Sequence, residues 1–234
     1  MKSASTLIHD YQVEMIDIAS KRNGQKQLEK FSSGRGVAYR GKLDLKTFLL
    51  LIVINFLFGD IALKTHSGPT FYVRLLCSLG LAKATYSFRD PRDVALSMLD
   101  HGNRTRQKEP EYPGDIRGFR NVEEVPDTFS QIGYEIDNWY KWKDFGDVWF
   151  IKYEDFMTNK SKTLKEIADY LGYDLSDADF ETLLSKYAAV KSRNFNKGTT
   201  ERYKSEMSAS DLEICRQTWR KELSDMQYAT QTTA

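Results

Sequence analysis

Three short stretches of this chain combine residue types that can bind or transfer an anionic group. In Lys64-Thr65-His66 an ammonium and an imidazole stand two residues apart, on one side of an extended chain. Histidine is the usual general base near neutral pH, and a neighbouring lysine can hold the charge of a group in transfer. A lone histidine is more often structural, but the lysine–histidine pairing favours chemistry. Lys2-Ser3-Ala4-Ser5-Thr6 runs directly into a helical pattern from Leu7. Small and hydroxyl residues ahead of a helix let backbone N–H groups close around an anion. The same tract also suits a solvated chain end, and the GxxxxGK[ST] spacing of a Walker loop is absent. The third stretch is Arg89-Asp90-Pro91-Arg92-Asp93-Val94-Ala95-Leu96-Ser97. An arginine at the carboxyl end of a strand is well placed for a phosphate. Ser97 is expected on the face opposite the core positions Val94, Ala95, Met98 and Leu99, in line with Asp93 and His101. A capped helix with an exposed serine fits these residues too.

The elements that position these residues alternate short apolar strands with longer helical stretches, which predicts a mainly parallel sheet with helices on its faces. Ile8, Tyr11, Met15, Ile18 and Ala19 mark a helical face over residues 8–20. Strands are predicted at Asp60–Thr65, Ala84–Phe88 and Val148–Tyr153, and helices over 161–172, 176–190 and 208–224. A helix is expected from Pro91 to His101, with Asp90 as its cap and Asp93 near its positive end. Gly102–Val125, rich in charge, proline and glycine, reads as a long surface loop. The apolar run Phe48–Phe58 (FLLLIVINFLF) is too short to span a bilayer and reads as a buried core element. Trp139, Tyr140 and Trp142 read mainly as core packing, and His9 and His101 as surface residues.

At 234 residues the chain suits one sizeable domain, residues 1–234. Its 34 Lys+Arg against 33 Asp+Glu argue against a nucleic-acid-binding face, though not against a local cationic pocket. The two cysteines, Cys77 and Cys215, have no metal-ligand or disulfide spacing and read as buried free thiols of a reducing compartment. No secretory leader is visible, so a soluble, cytoplasmic protein is expected.

Taken together and in order, these segments resemble the sulfotransferase family. KSAST-L at 2–7 is similar to its 5'-phosphosulfate loop, commonly PKSGTTW, and LKTH at 63–66 to its lysine–histidine strand. RDPRDVALS at 89–97 is similar to its 3'-phosphate motif. IKYEDF at 151–156 resembles its YEDL strand end, and TLKEIADYLG at 163–172 the helix that follows. Asn196 to Tyr203 (NKGTTERY) resembles an altered RKGxxGxW loop. Departures are Ala4 and Ser5 for Gly and Thr, Leu7 for the adenine-stacking Trp, Asn196 for the loop Arg, Glu201 for its second Gly and Tyr203 for its Trp. The loss of the Arg at 196 removes a bidentate phosphate ligand, with Arg193 or Arg202 as possible replacements.

The resemblance implies an α/β fold with a P-loop-like central parallel sheet flanked by helices. It implies sulfuryl transfer from 3'-phosphoadenosine-5'-phosphosulfate (PAPS) to a hydroxyl or amine, releasing adenosine 3',5'-bisphosphate. His66 would take the acceptor's proton, while Lys2 and Lys64 steady the group in transfer. Lys2, Ser3, Ala4, Ser5 and Thr6 would hold the 5'-phosphate; Arg89 and Ser97 the 3'-phosphate, with Lys197 and Gly198 closing over it. Tyr153 would touch the adenine, and Ser185 and Tyr187 would line the same pocket. No metal is implied, since lysines supply the charge. The acceptor is a small molecule, lipid or carbohydrate, with no nucleic acid and no transmembrane segment. A nucleoside kinase or NTPase of the same architecture, or a non-catalytic nucleotide-binding protein of this fold, are the competing expectations. Because the phosphate loop begins at residue 2, the sheet's first strand is expected to be missing or truncated, with Val37–Tyr39 one candidate to fill its place.

Overall fold

The computed structural model describes residues 5–20, 24–30, 43–107, 119–188 and 198–228. They are predominantly helical around a small parallel sheet. In chain order they form α1 (Ser5–Ser20), α2 (Gly24–Lys30), α3 (Leu45–Phe58) and α4 (Phe71–Ser78). There follow β1 (Thr85–Phe88), α5 (Pro91–Gln107), a short 3-10 turn (Val125–Thr128), α6 (Phe129–Phe145) and β2 (Trp149–Lys152). The chain continues as α7 (Tyr153–Thr158), α8 (Lys160–Leu171), α9 (Asp177–Ala188), α10 (Tyr203–Glu206), α11 (Ala209–Thr218) and α12 (Arg220–Asp225). Two compact units are drawn from this chain, one from residues 5–87 and 138–188, the other from 88–137 and 198–228.

The first unit holds the β1–β2 pairing and two apolar clusters. Ile8, Tyr11 and Met15 of α1 pack with Ile151 of β2, Phe156 of α7, Leu164 and Ile167 of α8 and Leu183 of α9. Three of the positions expected on the α1 face are buried here and Ile18 is partly buried against them, whereas Ala19 is exposed and Ile16 is buried; the face ties the helix to the strand that precedes α7. Leu28 of α2 and Phe48, Leu51 and Ile54 of α3 form the second cluster, which Ile61 and Leu63 join from an extended segment. Gly24 is confined to glycine by close approach: a Cβ there would lie 2.5 Å from the Gly59 carbonyl oxygen.

That extended segment is not the strand expected over Asp60–Thr65; a single bridge at Lys64 is all it forms. The amide of Ala62 donates to the Gln25 side chain at 3.0 Å rather than to a neighbouring strand, so the ladder ends there. The run through α3 departs from expectation as well. Its Phe48, Leu51 and Ile54 are buried, but Leu49, Val53, Phe56 and Leu57 face solvent.

In the second unit α5 continues to Gln107, six residues past the expected stop at His101, so residues 102–107 are helical and not loop. Both faces of its first half are buried, Ser97 included at 2% exposure, because residues 199–203 cover the side that the sequence leaves to solvent. The stretch 208–224 is two helices, α11 and α12, broken at Trp219, whose ring packs edge-on against Phe129 at 4.8 Å. Cys77 and Cys215 are free and buried, and burial raises their pKa values to about 11 and about 12, leaving inert thiols. His9 is buried rather than at the surface, its Nδ1 3.6 Å from the Asp10 carboxylate. Among the described residues no helix is long and apolar enough to cross a membrane. Val37–Tyr39 lies outside the described residues.

Candidate functional site

In the first unit, the Lys64 ammonium donates to Thr6 Oγ1 at 2.6 Å. The interaction joins the end of the extended segment to the first turn of α1, across 58 residues of sequence. Ile61 and Leu63 anchor that segment in the α3 cluster, and by strand alternation Lys64 leaves on the other side. Burial pushes the Lys64 pKa down, with Asp10 opposing the shift. A partly desolvated ammonium beside a hydroxyl at a helix start suits an anion, which would restore the charge balance.

His66 follows in a bend. Burial, reinforced by the Lys64 ammonium, pushes its pKa down to about 4, so the imidazole is neutral and able to accept a proton. Two side chains of α6 hold this bend. Asn138 Nδ2 donates to the His66 carbonyl at 3.2 Å, and Trp142 Nε1 donates to the Ser67 carbonyl at 3.1 Å. A Cβ at Gly68 would come within 3.0 Å of the Lys141 side chain, so the backbone lies close on the same helix. The sequence reading missed Asn138 and took Trp142 mainly as core packing. Their spacing of four residues puts an amide and an indole N–H on one helix face, the one signal that could have drawn attention to them. Tyr153 is buried as the first residue of α7, one position after β2 rather than on the strand. Ser185 and Tyr187 both sit on α9, where they donate to the carbonyls of Thr182 and Asp10 respectively.

In the second unit, Arg89 leaves the end of β1 and Asp93 lies one turn into α5. Arg89 Nη2 is 2.8 Å from Asp93 Oδ2 and also donates to the Thr199 carbonyl at 2.8 Å. The other oxygen of Asp93 accepts from the Tyr203 amide at 3.0 Å. Asp93 is fully buried and satisfies both groups at once, a role beyond the helix-end charge that its position suggests. Arg92 is paired with Asp90 at 2.7 Å and lies 3.8 Å over the ring of Tyr203, which fixes residues 199–203 against α5. Gly198, at φ 67, occupies a conformation that favours glycine, and so does Glu201 at φ 57. Glu201 stands where the resembling loop has its second glycine, and the backbone there keeps the glycine-like shape. Arg202, one of the two arginines offered as a replacement, is held by Glu206 at 2.6 Å and Asp100 at 2.8 Å. Lys2, Ser3, Ala4, Arg193, Asn196 and Lys197 lie outside the described residues.

The first cluster sets a partly desolvated ammonium against a hydroxyl and the second a buried arginine against a carboxylate, and both are built from segments singled out in the sequence. Residues 62–227 match the sulfotransferase domain, and the chain belongs to that family. Sulfotransferase 6B1 of Homo sapiens is 30% identical over 115 residues, 48% of this chain and 38% of the human protein. Sulfotransferase 6B1 of Mus musculus is 31% identical over 102 residues, 44% of this chain and 33% of the mouse protein. The matched stretch spans well under half the length of these relatives. The crystal structure of mouse sulfotransferase SULT7A1 complexed with PAP shares the fold, with a TM-score of 0.51 at 18% identity. That likeness covers 70% of this chain and 66% of the mouse chain.

Proposed function

We propose that this chain, acting in the cytoplasm as one sulfotransferase domain over residues 1–234, moves a sulfuryl group from PAPS to a hydroxyl or amine. The observation that carries this reading is the Lys64–Thr6 contact beside a neutral His66, in a chain of the sulfotransferase family. His66 removes the acceptor's proton as the acceptor oxygen or nitrogen bonds to sulfur. The bond from sulfur to the 5'-phosphate oxygen breaks in line, and adenosine 3',5'-bisphosphate leaves with the electron pair. Charge builds on the peripheral and bridging oxygens, where Lys64, with Lys2, offsets it. Ser3, Ala4, Ser5 and Thr6 receive the 5'-phosphate. Arg89 and Ser97 take the 3'-phosphate, Lys197 and Gly198 cover it, and Tyr153 contacts the adenine. The acceptor is a small molecule, lipid or carbohydrate.

A screen of hydroxyl and amine acceptors with sulfur-labelled PAPS tests the reading. Label should pass to at least one acceptor class with wild type and to none with His66→Ala. Transfer that persists in the variant would remove His66 from the chemistry.

A further inference from the structure

We propose that Asn138 and Trp142 are positioning residues for the transfer, holding His66 where it can take the acceptor's proton; this rests on the sulfuryl-transfer reading with His66 as its base. A base acts only within hydrogen-bond reach of the proton it removes, about 2.6–3.2 Å, so its backbone must be fixed. In a strand the ladder does this. Here the segment makes its single bridge at Lys64 and then bends, which puts His66 beyond that bridge.

Side chains take over where the ladder stops. Asn138 Nδ2 donates to the carbonyl of His66 itself, and one turn along α6 Trp142 Nε1 donates to the next carbonyl, that of Ser67. Thr65 Oγ1 accepts from the Ser67 amide at 3.1 Å and closes the bend from within. Further on, Arg74 Nε donates to the Pro69 carbonyl at 3.1 Å. The Arg74 guanidinium also stands 5.1 Å over the ring of Phe145, which lies 6.1 Å from the ring of Trp142. The far end of the bend is thereby tied to the same helix. Asn138 and Trp142 are 2% and 5% exposed, so neither donor exchanges readily with water.

Packing alone does not ask for these residue types. A phenylalanine at 142 would keep the ring contacts with Tyr86 and Phe145, and an apolar side chain of similar size would fill the space of Asn138. What the two share is an N–H aimed at consecutive carbonyls of the bend that carries the base. Releasing either one lets the imidazole drift, and a misplacement of about 1 Å costs on the order of a hundredfold in rate.

The test pairs Asn138→Leu, close in size but without a donor, with Trp142→Phe, which keeps a ring and removes the N–H. With sulfur-labelled PAPS and an acceptor that wild type labels, each should lower kcat roughly tenfold to a hundredfold. KM for PAPS and the stabilisation by adenosine 3',5'-bisphosphate should stay at their wild-type values. Diethyl pyrocarbonate, which acylates neutral imidazoles, reads the hold on His66 without turnover. Mass spectrometry should show His66 reacting several-fold faster in both variants, with His9 and His101 unchanged. Should Asn138→Leu fail to fold, Trp142→Phe alone decides. An unchanged kcat overturns the proposal. So does a fall in kcat matched by a rise in KM for PAPS, or faster acylation of all three histidines, the marks of a general loosening. Failure of the sulfuryl-transfer reading looks different: wild type then labels no acceptor, although His66 acylation still responds to both variants. That result would keep the clasp on His66 and overturn its part in transfer.

Discussion

His66 works, on this account, as a neutral base whose pKa of about 4 lies well below the ordinary histidine value. Two consequences follow from that one shift. The acid limb of kcat/KM reports the free enzyme, so no limb should appear near pH 6.5 and the profile should be flat from about pH 6 to 8. A clear loss of kcat/KM with a midpoint near 6.5 would show that the base is not held neutral by its surroundings. Stability carries the same signature. The folded-state pKa is depressed, so the unfolded chain takes up the proton first. The His66 contribution is complete above about pH 6.5 and is lost as pH falls toward 4. Denaturant unfolding of wild type and His66→Ala across that window should show a shallower loss in the variant. Arg89 and Asp93 separate in a similar way. Arg89→Ala should weaken adenosine 3',5'-bisphosphate by about 1.5–3 kcal/mol, the range of a charge-assisted contact. Both Arg89→Ala and Asp93→Ala should also lower stability by about 3 kcal/mol, because each removes one partner of a buried ion pair, but only Arg89→Ala removes a group that would contact the phosphate. Calorimetry and thermal melts read the two effects. Equal bisphosphate affinity in Arg89→Ala and wild type would remove Arg89 from the donor site.

Among the elements, the loop through Gly198 and Glu201 carries the clearest expectation. Both residues have positive φ, which costs a residue with a Cβ roughly 1–2 kcal/mol. Gly198→Ala should therefore destabilise by about 1 kcal/mol, while Glu201→Gly should be neutral or mildly stabilising. The Lys204 contact that Glu201 would give up is at the surface and counts for little. Chemical denaturation of the two variants checks this, and a marked loss in Glu201→Gly would show that its side chain matters more than its backbone. Some of the candidate site was legible in sequence and some was not. Lys64, His66 and Arg89 stand out because their chemistry is local: residue type and spacing announce it. Asn138 and Asp93 act on backbone groups 72 and 110 residues away, at His66 and Tyr203, and no local pattern records such a partner. Segment 60–65 read as a strand because alternation was present, but alternation reports a half-buried extended chain and not its hydrogen bonds. Gln25 decided those.

For the whole molecule, the class of fold was readable because helical periodicity and short apolar segments alternate along the chain. Its balance was not. The described sheet is small, and α3 has one face in the core and one in solvent, which a run of unbroken apolar residues cannot reveal. The proposed function rests on a donor that carries a 3'-phosphate. A ligand that binds only the folded state at 100 times its Kd stabilises it by about 2.7 kcal/mol, a shift of about 5–10 °C for a chain of this size. The decisive measurement is the melting temperature of the full chain with saturating adenosine 3',5'-bisphosphate and, in parallel, ATP. The account predicts a rise of that order with the bisphosphate and a far smaller one with ATP, which lacks the 3'-phosphate that Arg89 and Ser97 would recognise. Equal stabilisation by both, or none by the bisphosphate, would contradict it.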